Sequence, residues 1–149
     1  MLCISVKEFL SWKKKQLSKG GDNQTFAFLI ECIGGISKGD LNFLSLDPEN
    51  KIYLKKNLDQ LESIWHDHLL NSSPIQYLCG ITFWRDLKLK VSDKVLIPRP
   101  ETEIIVDIVF KIFEKKSHKF FFAELGTGSG AISIALALAY PLSDGIATD

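Results

Sequence analysis

The sequence predicts an α+β protein in which helices come first, a β-hairpin follows, and a strand–helix–strand unit comes last. Three observations support this order. In the first half of the 149 residues, apolar side chains recur every three or four positions, which is the period of amphipathic helices. After Gly80 the period falls to two, as in strands. The stretch FAELGTGSGAISIALA, beginning at Phe122, then passes through three glycines into a second helical pattern.

Composition limits the classes of partner. Hydrophobic residues make up 46% of the chain and can supply a core, whereas 18 basic and 18 acidic residues cancel to zero formal net charge. We therefore expect no direct attraction to nucleic acid or to an anionic membrane. No apolar run reaches the roughly 20 residues of a membrane span, and Glu8 interrupts the apolar N-terminus, so we expect a cytoplasmic protein.

The cysteines and histidines do not predict a metal site. The three cysteines, Cys3, Cys32 and Cys79, are odd in number and far apart, so we expect reduced packing residues. His66 and His68 lie two positions apart on a predicted helix and would point in nearly opposite directions. The expected metal content is therefore none.

Capping signals divide the first part of the chain into helices. Ser5 and Glu8 have the spacing of a capping box, and a second helix is predicted to start around Asp22 or Asn23 and to end at the glycine pair at 34–35. These signals predict helices over about residues 5–20, 22–34 and 41–44.

The clearest helical pattern follows Asp47. Asp47 is a suitable N-cap, Pro48 fits the first helical turn, and apolar residues recur at helical spacing from Leu54 to Leu69. We therefore predict one long amphipathic helix that starts at Asp47. In the next stretch, SSPIQYLCG, the same signals predict a short helix between Ser73 and Gly80.

A hairpin and a further helix are predicted next. Leu87, Leu89 and Val91 alternate with polar residues, and the letters SDK separate them from the apolar residues 95–97, which predicts that these two runs form the hairpin. Thr102 is placed to cap a helix that ends near Lys115 and Lys116. Its apolar face is predicted to consist of Ile105, Ile108, Val109 and Ile112.

The glycine loop indicates a ligand site. A buried strand is predicted in KFFFAEL, followed by Gly126, Gly128 and Gly130, a helix, and a second strand that ends in Asp149. In such a β-α-β unit the ligand crevice lies at the carboxyl ends of the strands. Glycines let the backbone approach a ligand, and a carboxylate can accept two hydrogen bonds from a ribose diol. This pairing indicates a nucleoside-containing cofactor.

Two cofactors fit this loop. GTGSGA satisfies the dinucleotide fingerprint, and Asp149 lies near the offset of roughly 20 residues expected for NAD. The loop also satisfies the looser pattern of S-adenosylmethionine enzymes, in which an acid, here Glu124, lies two residues before the first glycine. That acid can help hold the ammonium of S-adenosylmethionine and would repel a pyrophosphate. S-adenosylmethionine is therefore favoured, and NAD and a glycine turn without a ligand are the alternatives.

The stretch VLIPRPETE, residues 95–103, is the second informative motif. Prolines on both sides of Arg99 fix an extended backbone that aims one guanidinium and the carboxylates of Glu101 and Glu103. Taken alone, the motif is typical of a plain loop between a strand and a helix.

Taken together, the run PIQYLCGITFWRDLKLKVSDKVLIPRPETE and the later AELGTGSGAISIALA resemble the HemK/PrmC-type protein glutamine methyltransferases. Enzymes of that family modify the glutamine in the Gly-Gly-Gln loop of peptide chain release factors. The resemblance covers residues 74–149. It implies a helical substrate-recognition domain at 1–73, a short helix and β-hairpin connector at 74–100, and the first part of a Rossmann-like S-adenosylmethionine-binding domain at 101–149, inside which the chain ends.

The resemblance also implies site residues. The cofactor-binding residues would be Glu124, Gly126, Thr127, Gly128, Ser129, Gly130 and Asp149. Arg99, Glu101 and Thr102 would form a wall of the active site. Glu124 stands where the family usually has Asp. The family's Asn-Pro-Pro-Tyr, which holds the substrate amide, is absent from this sequence, so we expect no catalytic residue in the chain and no methyl transfer by it alone.

The function implied by the resemblance is methyl transfer from S-adenosylmethionine to a release factor, by a cytoplasmic monomer that binds neither nucleic acid nor membrane directly. Two alternatives belong to other classes. A fragment of an NAD-binding oxidoreductase would explain the glycine loop and Asp149 but not the PRPETE motif. A non-catalytic module that binds a partner through its helices is the other alternative.

Overall fold

The computed structural model describes residues 1–113 and 117–149, and it divides the chain into two compact units, Met1–Cys79 and Gly80–Asp149. The predicted helix end near Lys115 and Lys116 lies outside the described residues. The short helix of the predicted connector belongs to the first unit and the hairpin to the second. The predicted division at 1–73, 74–100 and 101–149 stays a prediction, because a compact unit is not by itself a functional domain.

The first unit is mainly helical. In chain order it contains β1 (Leu2–Ser5), α1 (Val6–Leu17), α2 (Asn23–Leu29), a π-helical turn (Ile30–Gly34), α3 (Lys38–Phe43), a 3-10 turn (Leu44–Leu46), β2 (Lys51–Leu54), α4 (Leu58–Asn71) and α5 (Ile75–Cys79). β1 and β2 pair antiparallel, with Leu2 opposite Leu54. No helix within the described residues is long and apolar enough to cross a membrane.

The predicted N-cap Ser5 is confirmed, and Asp22 caps α2 at the start predicted for that helix. The Ser5 hydroxyl accepts the backbone N–H of Glu8 at 3.1 Å. Asp22 Oδ1 accepts the backbone N–H groups of Gln24 and Thr25, at 2.8 and 2.9 Å. The pKa of Asp22 lies below its usual value, chiefly because the Thr25 side chain donates a hydrogen bond to its carboxylate. Both caps satisfy N–H groups that a helix cannot satisfy internally.

The predicted long helix from Asp47 is wrong over residues 47–57. α4 begins at Leu58, capped by Asn57, whose Oδ1 accepts the backbone N–H of Gln60 while the Gln60 side chain accepts that of Asn57. The preceding residues form β2 instead, because their backbone pairs with the distant β1. Leu54 is fully buried, as predicted, but on this strand. Local periodicity cannot report such a long-range pairing.

Aromatic residues form the centre of the first unit's core. Phe9, Phe26 and Trp65 are fully buried, and the Phe26 and Trp65 rings meet edge to face with centroids 5.2 Å apart. Within residues 1–113 and 117–149 the three cysteines form no disulfide; Cys32 and Cys79 are partly buried, whereas Cys3 is exposed, so the prediction that all three are packing residues is wrong for Cys3. A side-chain hydrogen bond with Cys32, together with burial, raises the pKa of the Cys79 thiol.

The second unit combines a hairpin with a β-α-β unit. It contains β3 (Ile81–Trp84), β4 (Leu87–Lys90), a 3-10 turn (Pro100–Thr102), α6 (Glu103–Ile112), β5 (Phe121–Leu125), α7 (Ala131–Ala139) and β6 (Asp144–Thr148). β5 and β6 pair in parallel with Phe121 opposite Asp144, and α7 lies between them in the chain. The predicted strand–helix–strand order is therefore confirmed.

The predicted hairpin partner is wrong. β4 pairs with β3, so that Trp84 lies opposite Leu87 and Ile81 opposite Lys90, and residues 95–97 form no strand. The backbone N–H of Val91 donates to the carbonyl oxygen of Gly80 and extends the ladder. A two-residue turn joins β3 to β4. Because this connection is so short, β4 pairs with β3 and not with the apolar residues 95–97.

The predicted apolar face of α6 is wrong for three of its four residues. Ile105, Ile108 and Ile112 are exposed, whereas Val106 is fully buried and Val109 packs beside it. α6 carries two apolar stripes, so its periodicity cannot decide which one faces the core. The helix follows Thr102 as predicted, but a 3-10 turn precedes it and the Thr102 side chain forms no capping hydrogen bond.

The strand predicted to be buried is β5, and it is only partly covered. Phe122 packs against the core of the second unit, whereas Phe121 and Leu125 are 64% and 82% exposed. Tyr140, just after α7, is buried and donates its hydroxyl to the carbonyl oxygen of Phe113 at 2.6 Å. The prediction of a buried strand is thus correct for one face of the sheet only.

Candidate functional site

A cleft of about 160 Å³ lies at the carboxyl end of β5. The glycine loop forms one side of it and the segment that contains the PRPETE motif forms the other. Of the predicted site residues, the cleft is lined by Arg99, Thr102, Glu124, Gly126, Thr127, Gly128 and Ser129. Glu101, Gly130 and Asp149 do not line it. The structure therefore brings together two motifs that are separated by more than a helix in the sequence.

The ends of the two parallel strands meet at this loop. The carbonyl oxygen of Thr148, at the end of β6, accepts the backbone N–H groups of Gly126 at 2.8 Å and Thr127 at 3.0 Å. Asp149 follows directly and is exposed. The glycine loop and the predicted ribose-binding acid thus lie at the same edge of the sheet, which is where β-α-β units bind their ligands.

Gly126 combines a left-handed backbone with open space. Its φ is +73°, a backbone conformation that residues with a Cβ rarely adopt. A Cβ placed on Gly126 would meet no protein atom within 4 Å. The space beside Gly126 is therefore accessible to a ligand, and the residue's conformation makes glycine the favoured residue there.

Glu124 ties the strand, the loop and the helix together. Its Oε2 accepts the hydroxyl of Thr127 at 2.9 Å, the backbone N–H of Ser133 at 3.1 Å, and the hydroxyl of Ser133. The carboxylate thus caps the N-terminal end of α7, where the helix dipole favours a negative charge. This structural role was not predicted from the sequence, because no local pattern links Glu124 to Ser133.

The backbone of Arg99 is fixed from two directions. Its carbonyl oxygen accepts the indole N–H of Trp84 at 3.0 Å and the backbone N–H of Thr102 at 3.1 Å. The Arg99 side chain is exposed, lines the cleft, and forms no hydrogen bond or ion pair with any residue that the structure describes. By contrast, the nearby Arg85 is paired with Asp107 at 2.8 Å.

Sequence reasoning missed four apolar residues of the cleft and the supporting role of Trp84. The additional lining residues are Leu96, Pro98, Ala131 and Ile132. Pro98 is the first residue of the PRPETE motif and Leu96 lies two positions before it, so their place in the stretch 95–103 was the available signal. Among residues 1–113 and 117–149, no group of three or more His, Cys, Asp or Glu side chains has the arrangement of a metal site.

Comparison with known proteins identifies relatives. No family model matches the chain. Curated proteins named release factor glutamine methyltransferase do match it. The protein from Prochlorococcus marinus is 42% identical over 98% of this chain and 50% of its own length. The one from Coxiella burnetii is 39% identical over 93% of this chain and 48% of its own length. The one from Synechocystis is 38% identical over 72% of this chain and 42% of its own length.

These matches agree with the motifs that meet in the cleft. The chain spans about half the length of the curated relatives it matches. The resemblance inferred from the motifs is thereby confirmed, and by sequence the chain belongs to the HemK/PrmC-type release factor glutamine methyltransferases.

Proposed function

We propose that a protein containing this chain transfers a methyl group from S-adenosylmethionine to the side-chain amide nitrogen of a glutamine. That glutamine belongs to the Gly-Gly-Gln loop of a peptide chain release factor. The observation that supports this most is the joint cleft of the glycine loop and the PRPETE segment. The names of the relatives support the reaction class and the substrate.

The cleft fits part of the proposed cofactor. Ligand sites usually enclose about 300 to 1,000 Å³, so a cleft of about 160 Å³ can hold one portion of S-adenosylmethionine. We assign the methionine and ribose portion to residues 126–130, and the ribose hydroxyls to Asp149. Gly126 offers the open space that this requires. Glu101, Gly130 and Asp149 are included in this proposal although they do not line the cleft.

The position of Glu124 argues against NAD. A dinucleotide places its pyrophosphate at the N-terminal end of the helix that follows the glycine loop. In this chain the carboxylate of Glu124 already accepts the N–H of Ser133 at that helix end, and it would repel a pyrophosphate. A sulfonium cofactor with an ammonium group gains from the same negative charge. We therefore favour S-adenosylmethionine over NAD.

The proposed reaction needs a correctly positioned amide nitrogen and an activated methyl group. An amide nitrogen is a poor nucleophile because its lone pair is delocalised into the carbonyl group, so alignment must supply much of the catalysis. S-adenosylmethionine supplies a methyl group that is already activated by its sulfonium. The residues of this chain hold and orient that cofactor. Asn-Pro-Pro-Tyr, which would orient the amide, is absent from these 149 residues.

The helical part of the chain, residues 1–73, is proposed to contact the release factor. A glutamine loop is short, so a catalytic cleft alone cannot recognise a whole factor. The first unit offers exposed apolar side chains for such contacts, among them Phe43, Leu46 and Tyr53. Mixed surfaces of this kind, with a few apolar anchors and a polar surround, are common at protein interfaces.

Methyl transfer can be tested with two proteins. One is this chain; the other, here called the extended protein, joins it to the portion of the Prochlorococcus relative that it does not match. Both are incubated with S-adenosylmethionine labelled in its methyl group and with a release factor. We expect label on the glutamine with the extended protein and none with the chain alone. A release factor with Gln→Asn in the loop is the substrate control.

The outcomes separate the function classes. An extended protein that is folded and binds S-adenosylhomocysteine but labels no release factor would overturn the substrate assignment. A thermal shift with NAD and none with S-adenosylhomocysteine would favour the oxidoreductase alternative. Label transferred by the chain alone would show that the prediction of its inactivity is wrong.

A further inference from the structure

Arg99 is the only cationic side chain that lines the glycine-loop cleft among the residues that the structure describes. The other charged group in that lining is Glu124, and its carboxylate is bonded to Thr127 and Ser133. The Arg99 side chain forms no hydrogen bond or ion pair with the described residues. The cleft therefore presents one guanidinium that forms no ion pair with a described carboxylate.

The backbone that carries this guanidinium is held in place. Trp84 and Thr102 both donate hydrogen bonds to the Arg99 carbonyl oxygen, at 3.0 and 3.1 Å. Pro98 and Pro100 on either side restrict the backbone further. A side chain presented from a fixed backbone loses less conformational freedom when it binds, which favours a ligand contact at this position.

We propose that Arg99 binds the α-carboxylate of the methionine portion of S-adenosylmethionine. This assignment rests on the proposed function. Besides its cationic ammonium and sulfonium groups, the cofactor carries one anionic group, which is that carboxylate. A guanidinium matches a carboxylate because its planar fork donates two parallel N–H bonds. Arg99 would thus decide which adenosine derivatives the cleft accepts, by requiring an amino-acid carboxylate.

The charge arrangement of the cleft supports this orientation. The cofactor's amino-acid end carries a positive ammonium and a negative carboxylate on the same carbon atom. The cleft offers the opposite pair, the Glu124 carboxylate and the Arg99 guanidinium, on its two sides. Complementary charges of this kind fix the orientation of a ligand more than they raise its affinity.

The test compares two ligands that differ only in this carboxylate. S-adenosylhomocysteine and its decarboxylated analogue are titrated calorimetrically into the extended protein and into its Arg99→Gln variant. The intact protein should bind S-adenosylhomocysteine about 10- to 100-fold more tightly than the analogue, the ratio expected for hydrogen bonds to a charged group. In Arg99→Gln this preference should disappear, with binding of the analogue unchanged.

Two further variants make the result specific. Lys90→Gln removes a positive charge from β4 at a residue that does not line the cleft, and it should keep the preference. Arg99→Lys keeps the charge but not the planar fork, and it should retain part of the preference. Equal weakening of both ligands in Arg99→Gln would indicate a merely structural role and overturn the inference.

The remaining outcomes separate this inference from the proposed function. Tight binding of S-adenosylhomocysteine that Arg99→Gln does not change overturns the inference and leaves the function in place. An intact extended protein that binds neither ligand overturns the cofactor assignment, and the role of Arg99 with it.

Discussion

The backbone N–H of Gly126 donates to the carbonyl oxygen of Thr148 at 2.8 Å, so the glycine loop is bonded to the end of the neighbouring strand. Gly126 and Thr148 are far apart in the sequence and meet because β5 and β6 are parallel. Parallel strands present their carboxyl ends at one edge of a sheet. This bond is the physical link between the loop and Asp149, the residue that follows Thr148.

The first prediction concerns Asp149. Asp149→Ala in the extended protein should weaken binding of S-adenosylhomocysteine by about 1.5 to 3 kcal/mol, since hydrogen bonds to a charged group have that magnitude. Asp144→Ala, at the other end of β6, is the matched control and should not change affinity. Calorimetry that finds the same affinity in Asp149→Ala and in the parent protein would remove Asp149 from the site.

The second prediction uses a matched pair of glycines. Gly126 and Gly80 have nearly the same φ, +73° and +71°, and a Cβ on either one would meet no protein atom within 4 Å. Gly126→Ala and Gly80→Ala should therefore destabilise the fold to a similar degree. Only Gly126→Ala should weaken binding of S-adenosylhomocysteine, because its new methyl group would occupy ligand space.

Thermal unfolding and calorimetry on both alanine variants check this pair. Equal binding losses in the two variants would show that the loss at Gly126 comes from backbone strain rather than from contact with a ligand.

The third prediction concerns the pH dependence of stability at Asp22. The pKa of this carboxyl is lowered in the folded state, mainly by the hydrogen bond from Thr25, so folding favours its charged form. A lowered pKa gives stability that is present above the unfolded value of 3.8 and is lost as the pH falls through the lower folded value. Asp22→Ala should therefore cost about 1 kcal/mol of unfolding free energy at neutral pH and less at pH values below the folded pKa.

Urea unfolding at neutral and at strongly acidic pH measures this difference. Asp22→Asn serves as the control, because asparagine is also a good N-cap but does not titrate. A destabilisation by Asp22→Ala that is the same at both pH values would show that the charge of Asp22 does not contribute.

The fourth prediction concerns the helical part of the chain. Removing residues 1–73 from the extended protein should raise the KM for an intact release factor far more than the KM for a short Gly-Gly-Gln peptide. The reason is that a short peptide can reach only the cleft, whereas the proposed recognition of an intact factor also uses the helices. Steady-state methylation of both substrates measures the two values, and an equal rise for both would contradict a role in recognition.

Helix starts were predictable where a single residue forms the cap. Ser5 and Asp22 satisfy nearby N–H groups within three residues, so their role is readable from the sequence. The start of α4 was misplaced because β2 depends on pairing with β1, which lies about fifty positions earlier. The core face of α6 was misassigned because both of its faces are apolar.

The candidate site was predictable in its outline. The order strand, glycine loop, helix and strand predicts that the loop and Asp149 lie at one edge of the sheet. The resemblance based on the PRPETE motif implies that Arg99 belongs to the site. The bonds that organise the site were not predictable. Glu124 bonds to Ser133 and Trp84 bonds to the Arg99 carbonyl oxygen, and both contacts depend on the folded positions of separate elements.

The central claim is that the glycine-loop cleft binds S-adenosylmethionine. Hydrogen–deuterium exchange of the extended protein, measured with S-adenosylhomocysteine, with NAD and without ligand, tests it most directly. We predict slower exchange at the amides of residues 126–130 with S-adenosylhomocysteine and no change with NAD, since a bound ligand protects the backbone it contacts. Unchanged exchange at these amides with S-adenosylhomocysteine, or protection by NAD alone, would contradict the claim.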